Sequence, residues 1–403
     1  MGKWGSPVPS SKFATFDLDF TLVTIKGKGR FPKDANDWRF FHPQVPQLLQ
    51  KLHEIGYRIV IISNQNGLKP GKDKAEISKK GVEYRTKISN IAQALNVPFT
   101  IFAAIDKDYM RKPSPGMWHL AQLDNGDLQV DKASSFFVGD AAGRPKGWCP
   151  GAIADFSDSD LAFALNVGVP FYTPEEIFGK CDLDDLKLPK PQEWPISRFS
   201  PRQFVPNHTL HAELMDSVTQ HIEAAKEAKR GLLIMLIGPP ACGKSTFTLR
   251  HLLPLGCERV NMDELKTRKK CEDAVRNVLK ANGLAVIDNT NADEAARSSF
   301  IAIANENSAD CIAVVFEHES RDLAMHNNNF RTQLVQARYF SSSSISLYNV
   351  PRPADRVPEV AYHSFFKRLS LPSTAEGFTK VLRHTFLPAF ESTEDEKLWY
   401  QYY

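Results

Sequence analysis

The segment that most restricts the fold is Leu232–Ile237, an unbroken apolar run that leads directly into Gly238-Pro239-Pro240-Ala241-Cys242-Gly243-Lys244-Ser245-Thr246. The run is far short of the ~20 residues a membrane span needs and reads as a buried strand. Directly after it stands GxxxxGKS, a pattern that works in one context: a strand delivering a glycine-rich loop to the start of a helix. Backbone N–H groups of such a loop cradle phosphates, and the helix N-terminus favours the anion. Lys244 would reach the β- and γ-phosphates and Ser245 would ligate Mg²⁺. Gly238, Gly243, Lys244, Ser245 and Thr246 are the expected ATP-binding residues. Cys242, inside the loop, reads as a small filler.

The same alternation of short apolar runs and helical stretches extends through the chain. Strand candidates are Phe13–Phe16, Arg58–Ile62, Phe99–Ala104 and Ser135–Val138, then Leu233–Ile237, Leu284–Ile287 and Cys311–Phe316, with helix-patterned segments such as Ala75–Leu95 between them. Alternation of this kind predicts βαβ units and parallel sheets, so the fold class is α/β, with ligands beyond the carboxyl ends of the strands. The chain's 403 residues suit two or three domains. A break falls where Pro189, Pro191, Pro195, Pro201 and Pro206 cluster, because proline removes a backbone donor and fixes φ. The expected organisation is a domain over 1–180, an extended linker over 181–207 anchored by Trp194 and Phe204, and a domain over 208–403.

Apolar residues at 42% and charged residues at 24% are ordinary globular usage, which excludes general disorder. Met1–Ser11 is polar and lacks the apolar stretch of a secretory signal. The six cysteines form no CxxC pair, which speaks against a zinc cluster or disulfide framework and for a reducing compartment. A net charge of +3 permits a polyanionic ligand without demanding one.

In the first half, four polar signals each close an apolar run. Asp17-Leu18-Asp19 follows the first strand, and two carboxylates so placed can face one site. One can attack phosphorus while its neighbour moves a proton. Ser63-Asn64-Gln65 ends the second strand, where a hydroxyl and backbone N–H groups can hold phosphate. Lys112 follows the third and can neutralise charge. Asp140, in Phe137-Val138-Gly139-Asp140, ends the fourth and can complete a Mg²⁺ site, which needs few protein oxygens. In the second half, Asp263 lies about twenty residues beyond the phosphate loop, placed to accept a proton from an attacking hydroxyl. The basic run Lys266-Thr267-Arg268-Lys269-Lys270 reads as a solvated face or as a track for a polyanionic acceptor. Asp288-Asn289-Thr290-Asn291 closes a strand. Arg331, with Arg321, can close over ATP phosphates as a lid.

The ordered set in the first half resembles the haloacid dehalogenase phosphatase superfamily. That resemblance implies Asp17 as nucleophile through an aspartyl-phosphate, and Asp19 as general acid and then base. It implies phosphate held by Ser63 or Asn64 and Lys112, and Mg²⁺ held by Asp17, the backbone carbonyl of Asp19, and Asp140. The superfamily usually has a small residue where this chain has Phe20, which narrows the mouth or stacks on a substrate group. More specific strings, Gly139-Asp140-Ala141-Ala142-Gly143-Arg144-Pro145, Phe163-Ala164-Leu165-Asn166, Asp288-Asn289-Thr290-Asn291 and His326-Asn327-Asn328-Asn329-Phe330-Arg331 among them, resemble the eukaryotic polynucleotide kinase 3′-phosphatases over nearly the whole chain.

This second resemblance implies a 3′-phosphatase joined to a P-loop 5′-kinase that heals DNA ends in strand-break repair in the nucleus. Asp263 would be the kinase base and Arg297 a stabiliser of the transferring phosphoryl. The ligands implied are Mg²⁺, ATP and DNA ends, with RNA left open. Met262 and Asn329 stand where the family can carry arginine. No membrane association is expected, nor a forkhead-associated docking module, since only about ten residues precede the first strand; a monomer is expected. The alternatives are a small-molecule phosphatase/kinase pair, such as one cycling a sugar phosphate, and a catalytically silent nucleic-acid-binding scaffold.

Overall fold

A computed structural model describes residues 1–27, 29, 32–68, 78–126, 128–181, 186–317, 321–341 and 351–403. The chain forms two compact units. The first is Met1–Arg202 with Gln333–Ala354 and Lys397–Tyr403, and the second is Gln203–Thr332 with Asp355–Glu396. The division falls inside the proline-rich stretch. Residues 182–185 of that stretch lie outside the described residues. Its middle lies on the first unit: Trp194 meets Trp148 edge to face at 6.0 Å, and Arg198 Nε donates to Asp158 Oδ1 at 2.8 Å. Phe204 instead packs on Phe386 in the second unit.

The expected 208–403 domain is cut differently here, because two late segments bond to the first unit. Gln336 Oε1 accepts from the Tyr109 backbone N–H at 3.1 Å. Tyr402 and Asn166 exchange two hydrogen bonds of 2.8 Å. These pairings join residues more than 200 positions apart, and no local pattern announces them.

In the first unit the strands are β1 (Gly2–Trp4), β2 (Phe13–Phe16), β3 (Val23–Thr24), β4 (Arg39–Phe40), β5 (Arg58–Asn64), β6 (Phe99–Ala104), β7 (Phe136–Val138) and β8 (Phe171–Tyr172). Six of them make a sheet in the order β1-β6-β5-β2-β7-β8, parallel except for β1 at the edge. Helices α1 (Val45–Glu54), α2 (Lys79–Leu95), α3 (Gly116–Leu123), α4 (Ser159–Val167) and α5 (Pro174–Lys180) accompany it. The central strand β2 is buried at all four positions, as expected when helices cover both faces of a parallel sheet. On α1, Val45, Leu48, Leu49 and Leu52 recur at helical spacing and enter the core. The Ser78 side chain caps α2 by accepting from the Gly81 N–H.

The second unit holds β9 (Leu232–Ile237), β10 (Cys257–Val260), β11 (Leu284–Asp288), β12 (Asp310–Glu317) and β13 (Lys380–Thr385) in the order β10-β11-β9-β12-β13, all parallel. Its helices are α6 (His208–Glu227), α7 (Lys244–Phe247), α8 (Met262–Leu265), α9 (Arg268–Lys280), α10 (Glu294–Glu306), α11 (Arg321–Ser341, which spans the division between the units) and α12 (Glu359–Arg368); α13 (Thr393–Trp399) also crosses it. Strand β9 lies in the middle, buried throughout, so the phosphate-loop segment leaves from the centre of the sheet. Among the described residues no helix is long and apolar enough to cross a membrane, and Cys149, Cys242, Cys257, Cys271 and Cys311 are free thiols.

Two candidate catalytic sites

Adjacent parallel strands bring the first set of polar residues together. Phe16 pairs with Ile61 on β5 and with Val138 on β7, so Asp17, Ser63 and Asp140 leave the same edge of the sheet. Lys112 enters from the loop after β6. Its Nζ donates to Asp17 Oδ1 at 2.5 Å and to the Ile62 carbonyl at 2.9 Å, and it pairs with Asp160 Oδ1 at 2.7 Å.

Asp160 is a member of this site that sequence reading passed over. It lies in the first turn of α4, and its Oδ2 accepts from the Ala141 N–H at 3.1 Å. The signal for it sits elsewhere: a Cβ on Gly139 would come within 2.5 Å of the Asp160 carboxylate. The glycine before Asp140 is the space this carboxylate occupies.

Ligand oxygens of Asp17, Asp140 and Asp160 lie within 4.8 Å of one another. Three carboxylates against one lysine leave an excess of negative charge, and hard oxygen donors in that arrangement fit Mg²⁺. Burial raises the Asp17 pKa to about 7 against the pull of Lys112, with Asp160 adding to the rise. Burial, then Asp160 and Asp17, holds Asp140 well above the carboxylate range. Lys112 sits above its ordinary value because Asp160 and Asp17 outweigh its burial.

These shifts make stability depend on pH. With metal chelated, folded Asp17 keeps a proton that the unfolded chain, near 3.8, has released. Stability is therefore greatest below about pH 4 from this group and falls as pH rises toward 7. Thermal melts in EDTA at pH 5.5 and 7.5 should show the loss for the wild type and a smaller one for Asp17→Asn. Equal pH dependence in the two proteins would contradict the burial of charge described here.

Asp19 faces another way. Lys87 Nζ, from the buried face of α2, donates to its Oδ1 at 2.6 Å, and Gln65 Nε2 donates to its Oδ2 at 2.7 Å. Its side chain thus stands outside the three-carboxylate group. Gln65 also donates to Ser63 Oγ at 2.8 Å, placing that buried hydroxyl next to the acid. Lys87 was not foreseen, since one lysine among the charged residues of α2 carries no distinguishing pattern.

The Asn64 side chain is committed to the backbone of Lys112. Its amide oxygen accepts from the Lys112 N–H at 3.0 Å and its amide nitrogen donates to the Lys112 carbonyl at 3.1 Å. With both ends committed, Asn64 fixes the backbone that carries Lys112.

In the second unit, the edge formed by β10, β11 and β9 gathers the phosphate loop, Asp263 and Asp288–Asn291. Gly243 has a φ of 95°, and a Cβ on Gly238 would meet Cys242 Sγ at 2.7 Å and Phe316 Cβ at 2.8 Å. Both glycines of the motif are thus required by space or conformation. Lys244 Nζ is folded into the loop, donating to the Gly238 and Pro239 carbonyls at 2.9 and 2.6 Å. Ser245 and Thr246 are exposed at the start of α7. Burial raises the Cys242 thiol pKa despite Lys244 nearby, which suits a filler and not a nucleophile.

Asn261 accepts from the N–H groups of Asp263 and Glu264 and donates to the Asp288 carbonyl at 2.6 Å. That cap fixes the backbone of Asp263 while its side chain stays exposed. Arg259 binds the buried Asp288 carboxylate at 2.6 Å. Arg331 is exposed on α11.

One expectation for the second unit needs correcting. Arg297 is fully buried. Its guanidinium forks onto Glu376 at 2.8 and 2.9 Å and donates to the Asn291, Ala292 and Ser370 carbonyls. No N–H remains to meet a transferring phosphoryl, and the residue instead ties α10 to two later segments. In the basic cluster, Arg268 is exposed but bonds Glu272, Ala296 and Ser299 and lies over the Phe300 ring. Lys266, Lys269 and Lys270 remain exposed.

Two family models match different parts of the chain. A family model described as polynucleotide kinase 3 phosphatase matches residues 12–178, and one described as an AAA domain matches residues 233–333. A protein of Schizosaccharomyces pombe named bifunctional polynucleotide phosphatase/kinase is 34% identical over 401 residues, covering 100% of this chain and 86% of that protein. Proteins named polynucleotide 3′-phosphatase are similar over less than half of this chain. The one from Arabidopsis thaliana is 34% identical over 42% of this chain and 24% of its own length; the one from Saccharomyces cerevisiae is 29% identical over 40% of this chain and 85% of its own.

Proposed function

The chain belongs to the family of bifunctional polynucleotide phosphatase/kinases, and we propose that it heals DNA ends, removing 3′-phosphate at the first site and phosphorylating 5′-hydroxyls from ATP at the second. The observation that carries the reading is the pair of separate, complete sets of groups on one chain: Asp17, Lys112, Asp140 and Asp160 beside Asp19, and the Lys244 loop beside Asp263.

At the first site Asp17 attacks the 3′-phosphate and forms an aspartyl-phosphate. The departing 3′-oxygen takes a proton from Asp19, which then draws a proton from the water that hydrolyses the acyl phosphate. Lys112 holds Asp17 in place and offsets charge as it shifts. Ser63 binds phosphate oxygens beside it. The carboxylates of Asp17, Asp140 and Asp160, with the carbonyl of Asp19, would hold Mg²⁺, which supplies charge neutralisation between carboxylates and phosphate.

At the second site the loop N–H groups and Lys244 bind the β- and γ-phosphates of ATP, and Arg331 closes over them. Asp263 accepts the proton of the attacking 5′-hydroxyl. Ser245 would hold the second Mg²⁺. The exposed lysines at 266, 269 and 270 attract the DNA backbone. A nuclear role in strand-break repair belongs to the same reading, since 3′-OH and 5′-phosphate ends are what a polymerase or ligase uses.

The decisive experiment is product analysis on two duplexes, one 3′-phosphorylated and one with a 5′-hydroxyl, with and without ATP. Phosphate release independent of ATP and 5′-labelling dependent on it are expected. Turnover of sugar phosphates with no action on either duplex would favour a metabolite enzyme instead.

A further inference from the structure

Phe20 has a φ of 61°, in the left-handed region that glycine enters freely and a bulky L-residue enters only with strain. The turn after β2 imposes that conformation. The Phe20 N–H donates to the Val23 carbonyl at 2.6 Å, and Leu22 and Val23 both donate to the Leu18 carbonyl at 3.0 Å. Asp19 pairs with Val23 as an isolated bridge. Glycine would meet every one of these demands unstrained.

The ring is only partly covered. Thr21 and Leu22 beside it are wholly buried, whereas Phe20 is 44% exposed. No aromatic ring or cation packs against it among the described residues. A left-handed phenylalanine with its ring partly open to solvent, next to a catalytic constellation, points to a use in the site.

The chemistry of the surroundings narrows that use. The interior of the first site is charged: Asp17, Lys112 and Asp160 are buried there, and Asp19 is the residue before Phe20. Of all phenylalanine, tyrosine and tryptophan rings among the described residues, only Phe20 and Phe156 are exposed, and only Phe20 adjoins the catalytic pair. An exposed ring offers an apolar face, which a nucleobase complements by stacking whatever its identity.

We propose that Phe20 stacks on the base of the 3′-terminal nucleotide, so that this site favours 3′-phosphates on base-bearing ends over abasic ones. The inference rests on the 3′-phosphatase reading above.

The test compares kcat/KM on two oligonucleotides that differ only at the 3′-phosphorylated terminal residue, one carrying thymine and one abasic. Wild type should favour the thymine end by about tenfold, within the range of stacking on one ring, mostly through KM. Phe20→Gly and Phe20→Asn, both tolerant of the left-handed conformation, should bring the ratio near one. Phe20→Tyr should restore it. A ratio unchanged in both ring-free variants overturns the inference, as does a wild type indifferent to the base, or a preference lost in Phe156→Ala but kept in Phe20→Gly. A wild type that hydrolyses neither oligonucleotide would instead strike the 3′-phosphatase reading itself and remove the premise.

Discussion

Asp17→Asn is expected to stop phosphate release from a 3′-phosphorylated DNA end, lowering kcat by on the order of 10⁴-fold or more, while 5′-phosphorylation continues at the wild-type rate. The amide keeps the shape of the carboxylate but lacks the charge and lone-pair basicity needed at phosphorus. The fold has reason to survive, because Lys112 keeps Asp160 and the Ile62 carbonyl as partners. The substitution also removes a buried acid whose ionisation is resisted. The kinase groups lie on a different sheet, so their activity is the internal control. Phosphate release and 5′-labelling should be measured on the same preparation. Loss of both activities in a folded variant would sink the two-site reading, and retained phosphate release would remove Asp17 as nucleophile.

How far the sequence alone reached depends on how locally each feature is encoded. Buried central strands were legible because every residue is apolar or nearly so: Phe13–Phe16 and Phe99–Ala104 have the expected bounds. Edge and short strands were not. β13 reads Lys-Val-Leu-Arg-His-Thr and β10 reads Cys-Glu-Arg-Val, polar patterns that acquire strand character only from a neighbour. Helix α2 begins at Lys79, against an expected start at Ala75, which lies outside the described residues.

The same distinction divides the candidate sites. Asp17, Asp19, Asp140 and the Lys244 loop sit at or just beyond strand ends, and Lys112 lies in the loop that follows β6. Asp160 and Lys87 come from helices and reach the first site only through tertiary packing, so no spacing rule exposes them. Arg297 shows the converse. An arginine one turn into a helix after a polar strand end suggests phosphate, but Glu376, 79 residues later, takes its guanidinium. Charge in a sequence marks what a residue can bind, and burial decides which partner it meets.

Lys244→Ala is expected to cut 5′-phosphorylation severely at every ATP concentration and to leave 3′-phosphate release intact. In this structure Nζ is held by the Gly238 and Pro239 carbonyls, which keeps the ammonium aimed into the loop. ATP phosphates would replace those carbonyls as its partners. Negative charge shifts toward the bridging oxygen as the γ-phosphoryl departs, so a fixed ammonium there stabilises the transition state more than bound ATP. Removing it should lower kcat by about 10²- to 10³-fold, the scale for one preorganised donor, with a smaller effect on KM for ATP. Lys244→Arg should fail as well, because a planar fork cannot occupy a pocket shaped by two carbonyls and Cys242 Sγ at 3.4 Å. Recovery of normal kcat at saturating ATP would show that Lys244 acts only in ground-state binding. Parallel loss of phosphatase activity would mean that the variant had unfolded, which the melting temperature of the same sample would reveal.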